Sequence, residues 1–512
     1  MTLLPLTFLA PVVLLLAAAL FVSRPGRRPG ALPLVAEMAA AIAFLLALLG
    51  LAQFWATGTR LVAAGDGLSL RFDAIGITLA LLVSFVGWVV VRYARRYVDG
   101  ENREGAFHGL TLAAIAGALV LVQAGSLPVM IASFLALGLI LRQLLLFYAD
   151  RPEAQRAAAK FIRVWSAGDA ALILAALLLW QSFGSLDIAT LNTAAGAGLP
   201  LGAQIGVGLL VLSALLKTAA FPLHGWLTEV MEAPTPVSAL LHAGIINSGG
   251  VMLILLSGVV QQSTGSMAAL VMLGGLTALF GGVVMLTQSA VKTALAWSTV
   301  AQMGFMLMQC GLGLWPLALL HIVAHSLYKA HAFLGSGAAI GAVNAIRKPG
   351  PVAAPGLAAV ARSFALGLAL YAAIAVAFTL LVGPKSPQAL ALGAILVFGV
   401  SYLIAQGLAD AAPGALTART VVASIGAALA YFGFQLLAQA IWGGALPAAP
   451  VPGPLEWALI VLALLSFGLV AVAQALFPLW AHHPSTAGLR VHLANGLYLN
   501  ALLDRMTGGF RA

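Results

Sequence analysis

Apolar residues run unbroken for about 20 positions at a time along this chain, and polar residues collect in short stretches between the runs. Fifteen such windows fall near 4–22, 32–52, 72–92, 107–124, 127–147, 164–183, 201–221, 237–260, 267–288, 293–313, 316–341, 360–383, 388–410, 418–442 and 455–479. A run of that length, wound at 1.5 Å per residue, matches the hydrocarbon thickness of a bilayer, so each window predicts a transmembrane helix. A membrane β-barrel would instead alternate apolar and polar residues over about ten positions. The pattern predicts an all-α polytopic membrane protein with about 13–15 transmembrane helices. The first window, Met1–Val22, reads as a span and not a signal peptide, because no small-residue cleavage site follows it and Arg24, Arg27 and Arg28 do.

The polar stretches are short: the longest are 93–106, 148–163 and 480–512, with Ala/Pro/Gly-rich connectors at 348–356 and 443–454. No extramembrane domain is predicted, so a large catalytic module would have to come from a partner. Composition agrees, with only 8% charged residues against about 25% in soluble proteins. The net charge of +10 is spread over many loops, which argues for lipid headgroups and against nucleic acid. A single cysteine, Cys310, excludes disulfide frameworks and iron–sulfur clusters.

The distribution of the 25 lysines and arginines carries more information than their number. Loops after odd-numbered windows and the C-terminal tail hold nineteen of them, among them Lys160, Arg347, Lys348 and Arg511. Even-side loops hold only Arg60, Arg71 and Lys385. By the positive-inside rule the N-terminus is expected outside and the C-terminus in the cytoplasm. Three cations remain inside windows: Arg142, Lys217 and Lys329.

A charge at the bilayer centre costs about 2.5–3.5 kcal/mol on insertion scales, so such residues are usually functional and partnered. Lys217 ends an apolar run shortly before Pro222, which interrupts helical hydrogen bonding and leaves carbonyls for water or side chains. A lysine beside a broken helix suits a proton carrier, although its position near the span end also allows snorkelling. Next come His224, Glu229, Glu232, Pro234, Thr235, Pro236 and Ser238, with Thr235 and Pro236 reading as cap and first residue of the following helix. That helix carries His242 and Asn247; the histidine reads equally as a structural hydrogen-bonder or a proton carrier. His321, His325 and Lys329 stand at i, i+4 and i+8, one face of a helix over about 12 Å. Such a row suits proton relay. A metal site is the rival reading, opposed by the lack of neighbouring Cys, Asp or Glu and by the adjacent Lys329 cation. Lys292 reads either as an interface anchor or as added charge. Buried acids are expected to be few: Asp169 opens the sixth window, Glu37 lies in the second and Asp410 ends the thirteenth, and of these Asp169 is the expected partner of Lys217.

At this point the motifs resemble those of the antiporter-like superfamily, which includes proton-pumping subunits of respiratory complex I and Mrp cation/proton antiporters. The block Lys217-Thr-Ala-Ala-Phe-Pro-Leu-His-Gly-Trp-Leu, the block from Met231 through His242, the block Val291-Lys292 through Gln302-Met-Gly304 and the His321/His325/Lys329 helix match in order and spacing over roughly 105–345. Arg142-Gln143 through Tyr148, Gln309-Cys310, Leu327-Tyr328-Lys329-Ala-His331 and the tail from Val491 to Arg505 look like the DabB-type branch, the membrane subunits of DAB inorganic-carbon transporters. The resemblance implies an inverted-repeat core with a broken helix, with repeats at 107–260 and 261–415 flanked by helices at 1–106 and 416–512. It implies a carbonic-anhydrase-like cytoplasmic partner of DabA type that holds zinc, no cofactor in this chain, and H+ or Na+ flux driving capture of CO2 as bicarbonate. The proton path would comprise Lys217, His321, His325, Lys329, His242, Asp169 and Lys292, supported by Pro222, His224, Glu232, Pro234 and Pro236. Two departures stand out. Phe134-Leu135 occupies the place of the superfamily's Trp-Glu pair, so the lysine's usual carboxylate partner is expected to be missing. Window 360–383 also lacks the lysine of a second broken helix.

Overall fold

Each of the fifteen windows falls on a helix in the computed structural model of the chain, which describes residues 4–63, 67–336, 356–407, 414–476, 480 and 483–506. In chain order they are α1 Leu6–Ser23, α2 Leu32–Thr57, α3 Ala74–Tyr97, α4 Glu104–Val122, α5 Leu127–Leu145, α6 Pro152–Phe183, α7 Leu201–Lys217, α8 Thr235–Leu255, α9 Thr264–Met285, α10 Val291–Gly311, α11 Trp315–Gly335, α12 Leu357–Val382, α13 Pro387–Gly407, α14 Gly414–Trp442 and α15 Pro454–Ala475. Two short helices, α16 Ala487–Ala494 and α17 Leu499–Met506, follow. Among the described residues, twelve helical segments are long and apolar enough to cross a membrane, and α7 and Pro387–Gly399 are shorter apolar helices. The chain is a multi-pass helical membrane protein. Its only described sheet is a hairpin between α2 and α3, with β1 Arg60–Ala63 antiparallel to β2 Ser69–Phe72 and Arg60 opposite Phe72.

Burial orders the bundle. In α8, 94% of the span is buried, whereas in α12 only 17% is, so α8 lies at the centre and α12 at the periphery. A helix apolar on every side is stable in either place, because lipid and protein interior both accept its side chains. Polar residues on α8 therefore sit where only protein partners can satisfy them.

Several expectations shift. The polar stretch 148–163 is not a loop throughout: Pro152, placed where a missing N–H costs nothing, starts α6, whose 32 residues make it about 48 Å long. Asp169 is thus mid-helix, and Lys160 belongs to the same helix. Arg142 lies exposed in the last turn of α5, not in the interior. Glu37 is not a buried lone acid, since it pairs with Arg95 at 2.5 Å and Arg92 at 3.8 Å. Pro234, not Thr235, holds the cap position of α8, and the Thr235 hydroxyl donates to the Tyr97 hydroxyl at 3.3 Å. Arg347, Lys348, Asp410 and Arg511 lie outside the described residues.

Candidate functional site

Lys217 is fully buried at the C-terminal end of α7. Its Nζ donates to Asp169 Oδ1 on α6 at 2.6 Å. The ammonium also sits 4.3 Å from the centre of the Phe134 ring and 4.1 Å from that of Trp165. A cation against aromatic faces gains about 2 kcal/mol or more once desolvated. Trp165 is held there by its own Nε1, which donates to the Phe134 carbonyl at 3.0 Å. Gly138 makes room, because a Cβ there would stand 2.5 Å from Trp165 Cδ1. The lysine's carboxylate is therefore present after all, supplied by α6 and not by α5. Leu135 is 43% exposed, while Phe134 supplies a ring to the same lysine.

The chain after Lys217 leaves the helix as expected from Pro222. Ala219 adopts φ 52°, and the Phe221–Pro222 bond is cis. The freed backbone groups find side-chain partners: Phe221 N–H donates to Thr277 Oγ1 at 3.0 Å, and Trp226 Nε1 donates to the Leu216 carbonyl at 3.2 Å. His224 is buried in this connection, its ring 4.9 Å from that of Trp297 and stacked on Phe221 at 6.2 Å. Burial, reinforced by the nearby Lys160 ammonium, pulls the His224 imidazole down to about 4.

A second cluster joins α8, α10 and α11. His325 Nε2 donates to the His242 carbonyl at 3.1 Å. Thr299 has one hydroxyl proton and gives it to the Leu295 carbonyl at 2.9 Å. The same Thr299 Oγ1 lies 3.1 Å from His242 Nδ1. His242 Nε2 is a buried atom with no hydrogen-bond partner. Lys329 Nζ donates to the same Leu295 carbonyl at 3.0 Å and to Ser298 Oγ at 2.8 Å. One turn of α10 thus ties His242 to Lys329. His321 stacks 5.9 Å from His325 and borders a pocket of about 380 Å³ that also includes Gln309 and Tyr431. The predicted single face of α11 is observed.

Sequence reasoning missed three parts of this arrangement. Ser298 and Thr299 are uncharged residues within the block from Val291 to Gly304; only their placement opposite a buried lysine marks them. α8 is itself interrupted at Gly244, where residues Ile245–Asn247 form a 3-10 turn. Asn247 Nδ2 donates to the Ala243 carbonyl and to Ser326 Oγ, both at 3.1 Å. A cavity of about 50 Å³, large enough for water, adjoins Gly244, Asn247, Ser248 and Ser326. Third, Lys160 is buried and paired with Glu229 and Asp504, both at 2.7 Å. Two named residues stand apart from the clusters. Glu232 forms a surface pair with Arg151 at 2.9 Å, and Lys292 lies half-buried at the start of α10. Among the described residues no hydrogen bond links the Lys217 pair to the His242–Lys329 cluster, and no group of three or more His, Cys, Asp or Glu could hold a metal ion.

A family model described as NADH:quinone oxidoreductase/Mrp antiporter, TM, matches residues 124–405, a range that contains both clusters. The chain is 34% identical over 490 residues to the probable inorganic carbon transporter subunit DabB2 of Halothiobacillus neapolitanus, covering 91% of this chain and 87% of that protein. It is 38% identical over 307 residues to the probable inorganic carbon transporter subunit DabB of Hydrogenovibrio crunogenus, covering 58% of this chain and 59% of that one. Its fold is similar to a chain of the membrane-bound sulfane sulfur reductase, an archaeal respiratory membrane complex, with a TM-score of 0.61 at 17% identity over 97% of this chain and 99% of that chain.

Proposed function

Because this chain belongs to the NADH:quinone oxidoreductase/Mrp antiporter membrane family, in its DabB branch of inorganic carbon transporter subunits, we propose that it is the proton-conducting membrane subunit of an energy-coupled inorganic-carbon transporter. The observation that carries the reading is the buried Lys217–Asp169 pair in an aromatic cage, beside a helix break whose backbone is satisfied by side chains. A buried ion pair is weak evidence for stability, since desolvation consumes most of its attraction. Its place in the centre of a membrane bundle is better explained by a proton that moves between the two groups. His321, His325, His242 and Lys329 form the second stage. The chemistry on CO2 belongs to a carbonic-anhydrase-like cytoplasmic partner of DabA type, which would hold the zinc. Segments 107–260 and 261–415 act as two repeats, with the C-terminus cytoplasmic in a bacterial inner membrane.

The alternative is a cation/proton antiporter or respiratory-pump subunit. The intact carboxylate–lysine pair favours it more than the sequence does. Against it, α12 is one uninterrupted helix without a lysine, so the second broken-helix lysine of such subunits has no counterpart there. Co-expression with a carbonic-anhydrase-like partner in carbonic-anhydrase-deficient cells tests the reading. Growth in air and ionophore-sensitive bicarbonate accumulation are expected, and both should vanish with Lys217→Ala while the complex still purifies. Cation-dependent proton exchange without carbon accumulation would favour the alternative; carbon accumulation unaffected by Lys217→Ala would leave the chain a scaffold.

A further inference from the structure

Lys160 of α6 is reached by two carboxylates from distant parts of the chain. Glu229 comes from the connection after the α7 break and Asp504 from α17, each 2.7 Å from Nζ. The lysine side chain is 5% exposed, whereas those of Glu229 and Asp504 are 26% and 27% exposed, so the acids reach the surface and the ammonium lies beneath them. Two carboxylates thus share the one Lys160 ammonium. Glu229 Oε2 is buried with no hydrogen-bond partner, and so is Nδ1 of His224, which is 1% exposed and within the field of Lys160. The inner end of the group is close to the proton machinery: Asp169 lies nine residues further along α6, about 13 Å away. Phe161, Trp165 and Trp226 pack on one another beside this stretch of α6, with ring centres 5.3–6.3 Å apart.

α17 is fastened over this place by more than charge. Asn500 Nδ2 donates to Thr228 Oγ1 at 3.3 Å, and a Cβ at Gly225 would stand 1.6 Å from Asn500 Oδ1. Gln288 Nε2 donates to the Ala494 carbonyl at 3.1 Å. The described C-terminal helices α16 and α17 are therefore fastened at the mouth of the broken helix.

We propose that Glu229, with Lys160 and Asp504, is the proton-exchange site at the face that carries α17, and that His224 receives the proton on the way to the Lys217 pair. A hydronium proton adds to the partly exposed Glu229 carboxylate and leaves water; Lys160 stays paired with Asp504; the proton then passes from the buried Oε2 to the His224 lone pair and restores the Glu229 carboxylate. This rests on the proton-conducting reading above.

The test reconstitutes the complete transporter complex in liposomes, drives protons with a potassium diffusion potential and reads a trapped pH dye while the pH on the α17 face is varied. Glu229→Gln is expected to slow flux by more than about tenfold and to flatten its dependence on that pH. Glu229→Asp should restore much of both, and Asp504→Asn should displace the profile. Lys217→Ala runs in parallel, with complex recovery scored by gel filtration. Wild-type flux and pH profile in Glu229→Gln, or a loss no larger than the loss of assembled complex, would overturn the site. If Lys217→Ala blocks flux in that case, the exchange site fails alone. If Lys217→Ala conducts normally, proton conduction through this chain fails, and the exchange site fails with it.

Discussion

At the scale of single residues, the chemistry rests on how buried cations are partnered. Removing one member of a buried pair leaves an uncompensated charge and costs about 3–5 kcal/mol, whereas replacing both with apolar residues is often neutral. Asp169→Asn should therefore lower the melting temperature of the purified protein and stop transport. Lys217→Met combined with Asp169→Leu should recover the melting temperature and still not transport. Recovery of transport in the double variant would remove the pair from the proton path. His224 gives a pH prediction. Its imidazole is held near 4 against an ordinary 6.5, so the folded state binds fewer protons than the unfolded one between those values. Stability from this group is complete above about pH 6.5 and is lost as pH falls toward 4, by up to about 3 kcal/mol. His224→Gln should flatten that part of the stability curve, as read by thermal melting in detergent at pH 7 and pH 5.

At the scale of elements, close helix contacts set the geometry that the charged groups exploit. Gly138 touches no charge, yet it lets the Trp165 ring lie against α5 and over Lys217. Gly138→Val should push the ring aside, destabilise the protein by about 1–3 kcal/mol through overpacking and slow transport, although residue 138 is not on the proton path. Quenching and shift of tryptophan fluorescence would report the displacement; unchanged transport with a displaced ring would show that the cage is dispensable. The interruption of α8 at Gly244 has a comparable role, because it frees the Ala243 carbonyl for Asn247 beside a small, mainly apolar cavity that Ser326 also borders.

At the scale of the whole molecule, orientation and partner follow from where charge collects. The basic side carries Arg92, Arg95, Arg96 and the C-terminal helices, and is expected to face the cytoplasm. Cysteines introduced at the exposed Ser485 and at Thr57 should report opposite sides, Ser485 labelling with an impermeant thiol reagent only after permeabilisation and Thr57 in intact cells. The native Cys310 is buried, which keeps the background low. Labelling of Ser485→Cys in intact cells would reverse the orientation and move the partner's docking face with it.

The sequence alone determined that this is a helical membrane protein, where its spans lie, and which family motifs hold Lys217, His242 and the His321–His325–Lys329 row. Those features are local: a 20-residue apolar run and a four-residue helical spacing need no distant contact to be read. Asp169 was also legible, because acids in the windows are so few that little else could balance a buried lysine. Only the tertiary structure decided that the Lys217–Asp169 pair sits against the Phe134 and Trp165 rings while Leu135 is exposed, that one turn of α10 joins His242 to Lys329, and that Lys160, which by charge counting is one more surface cation, lies beneath Glu229 and Asp504. Each of these depends on which side chains from separate helices meet in a space without water, and sequence spacing carries no information about that meeting.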